Sequence, residues 1–230
     1  MTVNESSEQA RHGPVWFDDT GETAYDSLAG DLTVDTAVVG GGIVGASVAF
    51  ELTEAGQSVA LLERDHVVRG VTGHTTAKLT AQHGRLYQYL QETFGRKHAR
   101  QYAAANQSAI DTVESRINRL GVDCHFERAP AYVYTQSPSE REAYRAEADA
   151  ARDVALPATY TETVPDPLSA VAAVRFDDQA LFHPRKYLLA LVEQVAAAGN
   201  HVFEESPVTD VDPGAPCEVT TGNGDRKSVV

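Results

Sequence analysis

Gly40-Gly41-Gly42-Ile43-Val44-Gly45 and Glu63 are the residues whose types and spacing could do chemistry. A G-x-G-x-x-G run is a weak signal by itself. Here it follows the short apolar stretch Asp35–Gly40 and opens a helical pattern. Glu63 lies 18 residues past Gly45, at the end of a second apolar stretch. Gly40 permits a tight turn, Gly42 lets a pyrophosphate approach the main chain, and Gly45 lets the helix pack on the strand. Free N–H groups at the helix start, on residues such as Ile43 and Val44, favour the negative charge of a diphosphate. A carboxylate at Glu63 accepts hydrogen bonds from both hydroxyls of an adenosine ribose and would repel a 2′-phosphate. The expected ligand is an adenine dinucleotide other than NADP.

The stretch "RGVTGHTTAKLTAQHG", Arg69–Gly84, comes next. An NAD domain usually returns from its second strand into another crossover helix. Here the chain enters a small, polar loop. Gly70, Thr72, Gly73, Thr75 and Thr76 supply hydroxyls and exposed N–H groups that can hold the pyrophosphate and ribityl chain of FAD. The motif leaves an NAD-linked dehydrogenase open; the loop favours FAD. His74 reads as a hydrogen-bonding or packing group of the loop. Lys78 is one of only four lysines. It either offsets negative charge on a reduced flavin or is a surface lysine.

These residues must be positioned by an α/β architecture. "DTAVVG" and "SVALLE" (Ser58–Glu63) read as strands flanking a helix, the pattern of a buried parallel sheet. Val44, Val48, Ala49 and Leu52 recur at helical spacing as that helix's buried stripe, and Gly56 stops it. A helix is expected from about Arg96 to Leu120, ended by Gly121. Ala131–Thr135 reads as a strand. Ser137-Pro138-Ser139-Glu140 reads as a capping box opening a helix to about Val154. Residues 156–167 read as a loop and Ala170–Phe176 as a strand. Pro184 starts a helix through Tyr187, Leu188, Leu191, Val192 and Val195, with His183 as its cap. "HVFEE", "PVTDV" and "CEVTT" (Cys217–Thr221) are further strands, the last meeting a "GNG" hairpin turn. Tyr132 and Tyr134 share one face of their strand and read as core packing.

Net charge is −14 for 230 residues, so phosphate backbones are repelled and nucleic acid is an unexpected partner. Acid excess with arginine in place of lysine suits solubility at high salt. Two cysteines cannot make a disulfide framework, which points to a reducing cytoplasm. Cys124-His125 is adjacent rather than spaced for a metal, so a buried thiol beside a surface histidine is expected and no metal site. No apolar run is long enough to span a bilayer, and the N-terminus lacks a signal-peptide pattern.

Three segments together carry a resemblance: "VDTAVVGGGIVGASVAFELTEAGQSVALLER", "GVTGHTTAKLTAQHG" and "ALFHPRKYLLALVEQVAAAG". The chain resembles the FAD-dependent D-amino-acid oxidase and glycine oxidase superfamily from about Trp16 onward. Within it, the closest resemblance is to the group whose full-length members carry a C-terminal Rieske iron–sulfur domain. The resemblance implies a Rossmann-like FAD-binding domain interleaved with an incomplete α+β substrate domain. The expected division is an arm over 1–33, FAD-binding parts over 34–95 and 179–230, and a substrate-domain part over 96–178. It implies that Gly40, Gly42, Ile43, Val44, Gly45 and Glu63 hold the ADP half. Arg64 would line the adenosine through its backbone, and the Val208 backbone would meet the adenine edge. The loop Thr72, Gly73, His74, Thr75, Thr76, Ala77 and Lys78 would reach the isoalloxazine. By likeness to dimethylglycine-type dehydrogenases, His74 could bond covalently to the flavin. The implied reaction is oxidation of an amine or amino-acid C–N bond by hydride transfer to flavin; no catalytic residue is assigned. The family pattern continues past residue 230 and includes cysteine–histidine pairs not found here. The expectation is therefore a truncated or split form, completed by a partner chain or oligomer, with a catalytically silent FAD-binding fragment as the alternative.

Overall fold

The computed structural model describes residues 13–222 and 226–229. In chain order its elements are β1 (Leu32–Val34), β2 (Thr36–Val39), α1 (Ile43–Glu54), β3 (Val59–Leu62), β4 (Lys78–Leu79) and α2 (Tyr87–Leu120). There follow β5 (Glu127–Thr135), α3 (Arg141–Asp153), β6 (Ala158–Thr161), β7 (Ala172–Leu181) and α4 (Pro184–Ala197). The last are β8 (His201–Phe203), β9 (Val208–Asp212), β10 (Cys217–Thr221) and β11 (Arg226–Val229). They form two compact units, one made by the chain up to Thr75 and again from Pro184, the other by Thr76–His183. The second is thus inserted between the halves of the first. The division falls at 75/76 and 183/184, where the sequence reading put 95/96 and 178/179.

In the first unit, β2, β3 and β8 make a parallel sheet in the order β2-β3-β8, with Thr36 opposite Val59 and Leu62 opposite Phe203. All four residues of β3 are buried, as a central parallel strand requires. A second sheet, β1-β11-β10-β9, is antiparallel except for the β1–β11 pair. Leu28, Leu62 and Val219 form a core cluster, with Ala37, Phe203 and Val208 against it. The expected turn at residues 222–224 lies partly outside the described residues, but β10 and β11 pair as a hairpin would.

The face that α1 buries matches the expected stripe at Ala49 but not at Val44 and Val48. Gly45, Ala46, Ala49 and Phe50 are buried, whereas Val44 is 73% and Val48 42% exposed. Small residues win the inner face because they let the helix axis come close to the sheet. Gly56 (φ +80°) does follow the helix end, as expected. In α4, Tyr187, Leu188, Leu191, Val192 and Val195 are all buried.

In the second unit, β7 is central: β5 pairs along one edge, β4 and β6 along the other, all antiparallel. The β5–β7 register shifts at Pro130, which has no N–H to give a ladder and lies opposite two residues of β7, Asp177 and Asp178 (φ 56°), so the extra residue is in β7. Tyr87, Ala99, Ala103, Tyr144, Ala148, Ala151 and Phe176 share one core. Helix α2 begins at Tyr87, before the expected Arg96, but Gly95 (φ 79°, ψ 159°) breaks it just ahead of that residue. Its first turn is capped by the buried Glu147 carboxylate, which accepts the N–H groups of Leu86, Tyr87 and Gln88 at 2.7–3.0 Å. Burial pushes the Tyr87 phenol well above its ordinary pKa.

Two further expectations are corrected. The Ser137–Glu140 capping box does not form: residues 138–140 make a 3-10 turn, and the Glu140 carboxylate takes the Thr135 hydroxyl instead of a backbone N–H. Residues 158–161, read as loop, are β6, a short strand that β7 recruits. Cys124 is buried and the neighbouring His125 side chain is exposed, as expected.

Candidate dinucleotide-binding site

The glycine run forms the turn between β2 and α1, with each glycine constrained differently. Gly40 has φ +97°, and its N–H donates to the Leu62 carbonyl at 2.8 Å. A Cβ on Gly45 would stand 1.8 Å from the Gly40 carbonyl oxygen, so only glycine permits this helix-to-turn contact. A Cβ on Gly42 would reach within 3.2 Å of the Thr72 hydroxyl.

Gly41 was not singled out by sequence reasoning, yet it is the hub. Its N–H donates to Glu63 Oε2 at 2.6 Å, and its carbonyl accepts the Val68 N–H at 2.8 Å. A Cβ there would lie 2.7 Å from Val67 Cγ1. The signal available in sequence was only its place as the variable residue between two fingerprint glycines. Glu63 Oε1 accepts the Asp65 N–H at 3.0 Å. The carboxylate at the end of β3 is thereby fixed against the turn.

At the start of α1, the Ala46 N–H makes the first helical bond, to Gly42 O at 2.9 Å. The N–H groups of Ile43, Val44 and Gly45 precede it and have no intrahelical acceptor. That of Ile43 donates to Thr72 Oγ1 at 3.0 Å. Residues 71–74 make a 3-10 turn beside the helix start. Gly73 is buried, and His74 is exposed with Nδ1 2.9 Å from the Gly70 carbonyl oxygen. A carbonyl only accepts, so His74 donates from Nδ1 and leaves Nε2 outside this bond. The Thr75 carbonyl accepts the Trp16 indole N–H at 2.8 Å.

The chain carrying Glu63 is held by the strand after α4. Glu63 N–H donates to Phe203 O at 2.9 Å, and Ser206 N–H to Glu63 O at 2.8 Å. Val208 follows two residues later in β9, and Arg64 is exposed beside Glu63. Gly40, Gly42, Ile43, Val44, Gly45, Glu63 and Thr72 are thus brought to one turn. Thr76, Ala77 and Lys78 belong to the other unit: Ala77 is buried, Thr76 and Lys78 are exposed, and Lys78 pairs with Leu181.

Behind the turn are two buried charges absent from the sequence reading. Glu204 accepts the Thr23 hydroxyl and the N–H groups of Tyr25 and Val67, and its carboxylate lies 2.9 Å from His66 Nδ1. Burial pushes its pKa up, but the hydrogen bonds from Thr23, Val67, His66 and Tyr25 outweigh it and hold the carboxyl below its ordinary value. The bond to Glu204 raises the His66 pKa, against partial desolvation. Arg185 is fully buried, and burial lowers its pKa.

Residues 35–230 match the family described as FAD-dependent oxidoreductase. The chain belongs to that family. FAD is therefore the cofactor, and the NAD-linked reading is set aside. The turn suits such a group: Gly40 holds a positive φ with open space where a Cβ would be, Gly45 admits no Cβ beside the Gly40 carbonyl, and the Glu63 carboxylate is fixed by the Gly41 N–H. A Bacillus subtilis protein provisionally named as the Rieske 2Fe–2S iron–sulfur protein YhfW is 36% identical over 206 residues, covering 90% of this chain and 40% of that protein. The gamma-glutamylputrescine oxidoreductase of Escherichia coli is 23% identical, over 87% of this chain and 48% of its own length. Glycine oxidase from Geobacillus kaustophilus superposes with a TM-score of 0.65 at 19% identity, covering 85% of this chain and 53% of that one. The chain spans about half or less of the length of these proteins. Among the described residues, no helix is long and apolar enough to cross a membrane.

Proposed function

We propose that this chain supplies the FAD-binding part of an oxidoreductase that oxidises the C–N bond of a small amine or amino acid. The observation that carries the reading is the Gly41–Glu63 hydrogen bond within the Gly40–Gly45 turn, in a chain of the flavin-dependent family. Glu63 would orient the adenosine ribose, while the amides of Ile43, Val44 and Gly45 would face the diphosphate, with Thr72 closing over it. The backbones of Arg64 and Val208 would border the adenosine. When bound, the flavin supplies the hydride acceptor. The amine or amino-acid substrate class rests on the named activities of the E. coli and Geobacillus proteins above.

His74 is the finer part of the proposal. Its side chain, exposed on the segment that adjoins the helix start with Nδ1 bound to Gly70, leaves Nε2 as the nitrogen for a covalent tether to the flavin.

Purified protein reconstituted with FAD tests this. Bound flavin absorbance, with bleaching on addition of amines or amino acids under anaerobic conditions, is the expected result. Absence of flavin binding defeats the proposal, and binding without bleaching leaves a cofactor unit lacking the chemistry. Colour in the pellet after acid precipitation supports the His74 tether; colour in the supernatant removes it.

A further inference from the structure

The dinucleotide turn is braced from behind by a part of the chain with no assigned contact to the cofactor. Arg185, in the first turn of α4, is 0% exposed. Its Nε donates to Thr20 Oγ1 at 2.7 Å and its Nη2 to Gly21 O at 2.6 Å. Its Nη1 faces the carbonyls of Val68 at 3.2 Å and Val67 at 3.4 Å. Its Cζ lies 4.6 Å from the centroid of the Phe17 ring. One cation thus joins the N-terminal arm to the segment after β3.

Phe17 carries the contact onward. A Cβ on Gly73 would lie 2.7 Å from Phe17 Cζ, so the ring is pressed against the backbone between Thr72 and His74. One residue earlier in the arm, Trp16 holds the Thr75 carbonyl. The 72–75 segment is therefore gripped on its far side by two aromatic residues, and Arg185 holds the arm that bears them. A buried charge is costly unless its donors are satisfied. A core-filling role alone would be met by leucine. The planar fork of five donors suits an oxygen set held in fixed directions, and it stacks on an aromatic face.

We propose that Arg185 is a positioning residue of the dinucleotide site, fixing the Thr72–Thr75 segment against the start of α1 through Val67, Val68 and Phe17. This rests on the FAD reading of that site. Without the guanidinium, the arm and the segment separate, and Thr72 loses its place at the Ile43 N–H. The cofactor pocket is then loosened although no residue facing the cofactor has been changed.

The test uses Arg185→Met and Phe17→Leu in the full chain, with two readouts. The first needs no cofactor. Trp16 is the only tryptophan, and its indole N–H bonds directly to Thr75, so its emission reports the arm–segment contact. The second is FAD affinity with the vibronic structure of the bound flavin's visible band. Expected are a red-shifted Trp16 emission in cofactor-free Arg185→Met and an FAD Kd raised roughly tenfold or more, the scale of outer supporting contacts at bound-ion sites. Phe17→Leu is expected to shift both in the same direction, with blurred flavin structure. Arg185→Met that melts like wild type and leaves both readouts unchanged overturns the proposal. If Arg185→Met does not fold, Phe17→Leu decides: wild-type emission and affinity overturn it. If the wild-type chain binds no FAD, the functional reading fails, while the Trp16 readout still decides whether Arg185 holds the segment.

Discussion

A β-carbon on Gly45 would sit 1.8 Å from the carbonyl oxygen of Gly40. The contact seats α1 on the parallel sheet and aims its free amides across the turn. Gly45→Ala must push the helix away or open the turn. Overpacking of this kind costs about 1–3 kcal/mol. The expected outcome is a lower melting temperature together with loss of FAD binding, read by thermal unfolding and flavin fluorescence titration.

Glu63→Gln separates charge from shape. Glutamine still offers one oxygen to the Gly41 N–H but none to the exposed Asp65 N–H, which can turn to water, so the cofactor-free protein is expected to melt slightly below wild type. The charged acceptor for the ribose is lost. Hydrogen bonds to a charged group are worth about 1.5–3 kcal/mol. FAD affinity should fall by roughly ten- to a hundredfold, measured by titration at constant ionic strength.

The His66–Glu204 pair predicts a pH dependence on two sides. The bond to Glu204 raises the folded-state pKa of His66, so its contribution is complete below the ordinary histidine value and is lost as pH rises through the raised one. Glu204 is held below its ordinary value by its hydrogen bonds despite burial. Its contribution is therefore present above that value and is lost as pH falls through the lowered one. His66→Gln should flatten the loss on the alkaline side, removing a stabilisation of about 1 kcal/mol. Urea unfolding from pH 5 to 9 measures it.

Glu147→Ala leaves three N–H groups at the start of α2 without their acceptor. A lost cap with buried donors costs about 2 kcal/mol or more. Glu147→Gln keeps an oxygen and should recover part of it. Hydrogen exchange at Leu86, Tyr87 and Gln88 is expected to rise most in the alanine variant.

The glycine turn, its strands and Glu63 could be read from sequence because every part lies within 28 residues, Thr36 to Glu63, and the turn glycines are locally required. The inner face of α1 was misread because periodicity weighs large apolar residues, while Gly45, Ala46 and Ala49 are what a close helix–sheet contact needs. Arg185, Glu204 and Glu147 were missed because their partners, mostly backbone groups, lie 59 or more residues away, which no local pattern encodes. A faint trace was present. Arg185 stands three residues before Leu188 and seven before Val192, on the apolar stripe of α4. Glu147 similarly lies between Tyr144 and Ala151 on the buried side of α3. A charged residue on an apolar helix face marks a tertiary clamp.

The inserted arrangement also fixes an order of assembly. Thr76–His183 is contiguous, and its contacts can close as soon as it leaves the ribosome. The flavin turn is made much earlier, yet β8, Arg185 and Glu204 arrive only after that whole insert has been synthesised. Until then the nascent β2-α1-β3 unit waits without its third strand and without its clamps, and the cofactor can be captured only after the insert and the strand beyond it have been made.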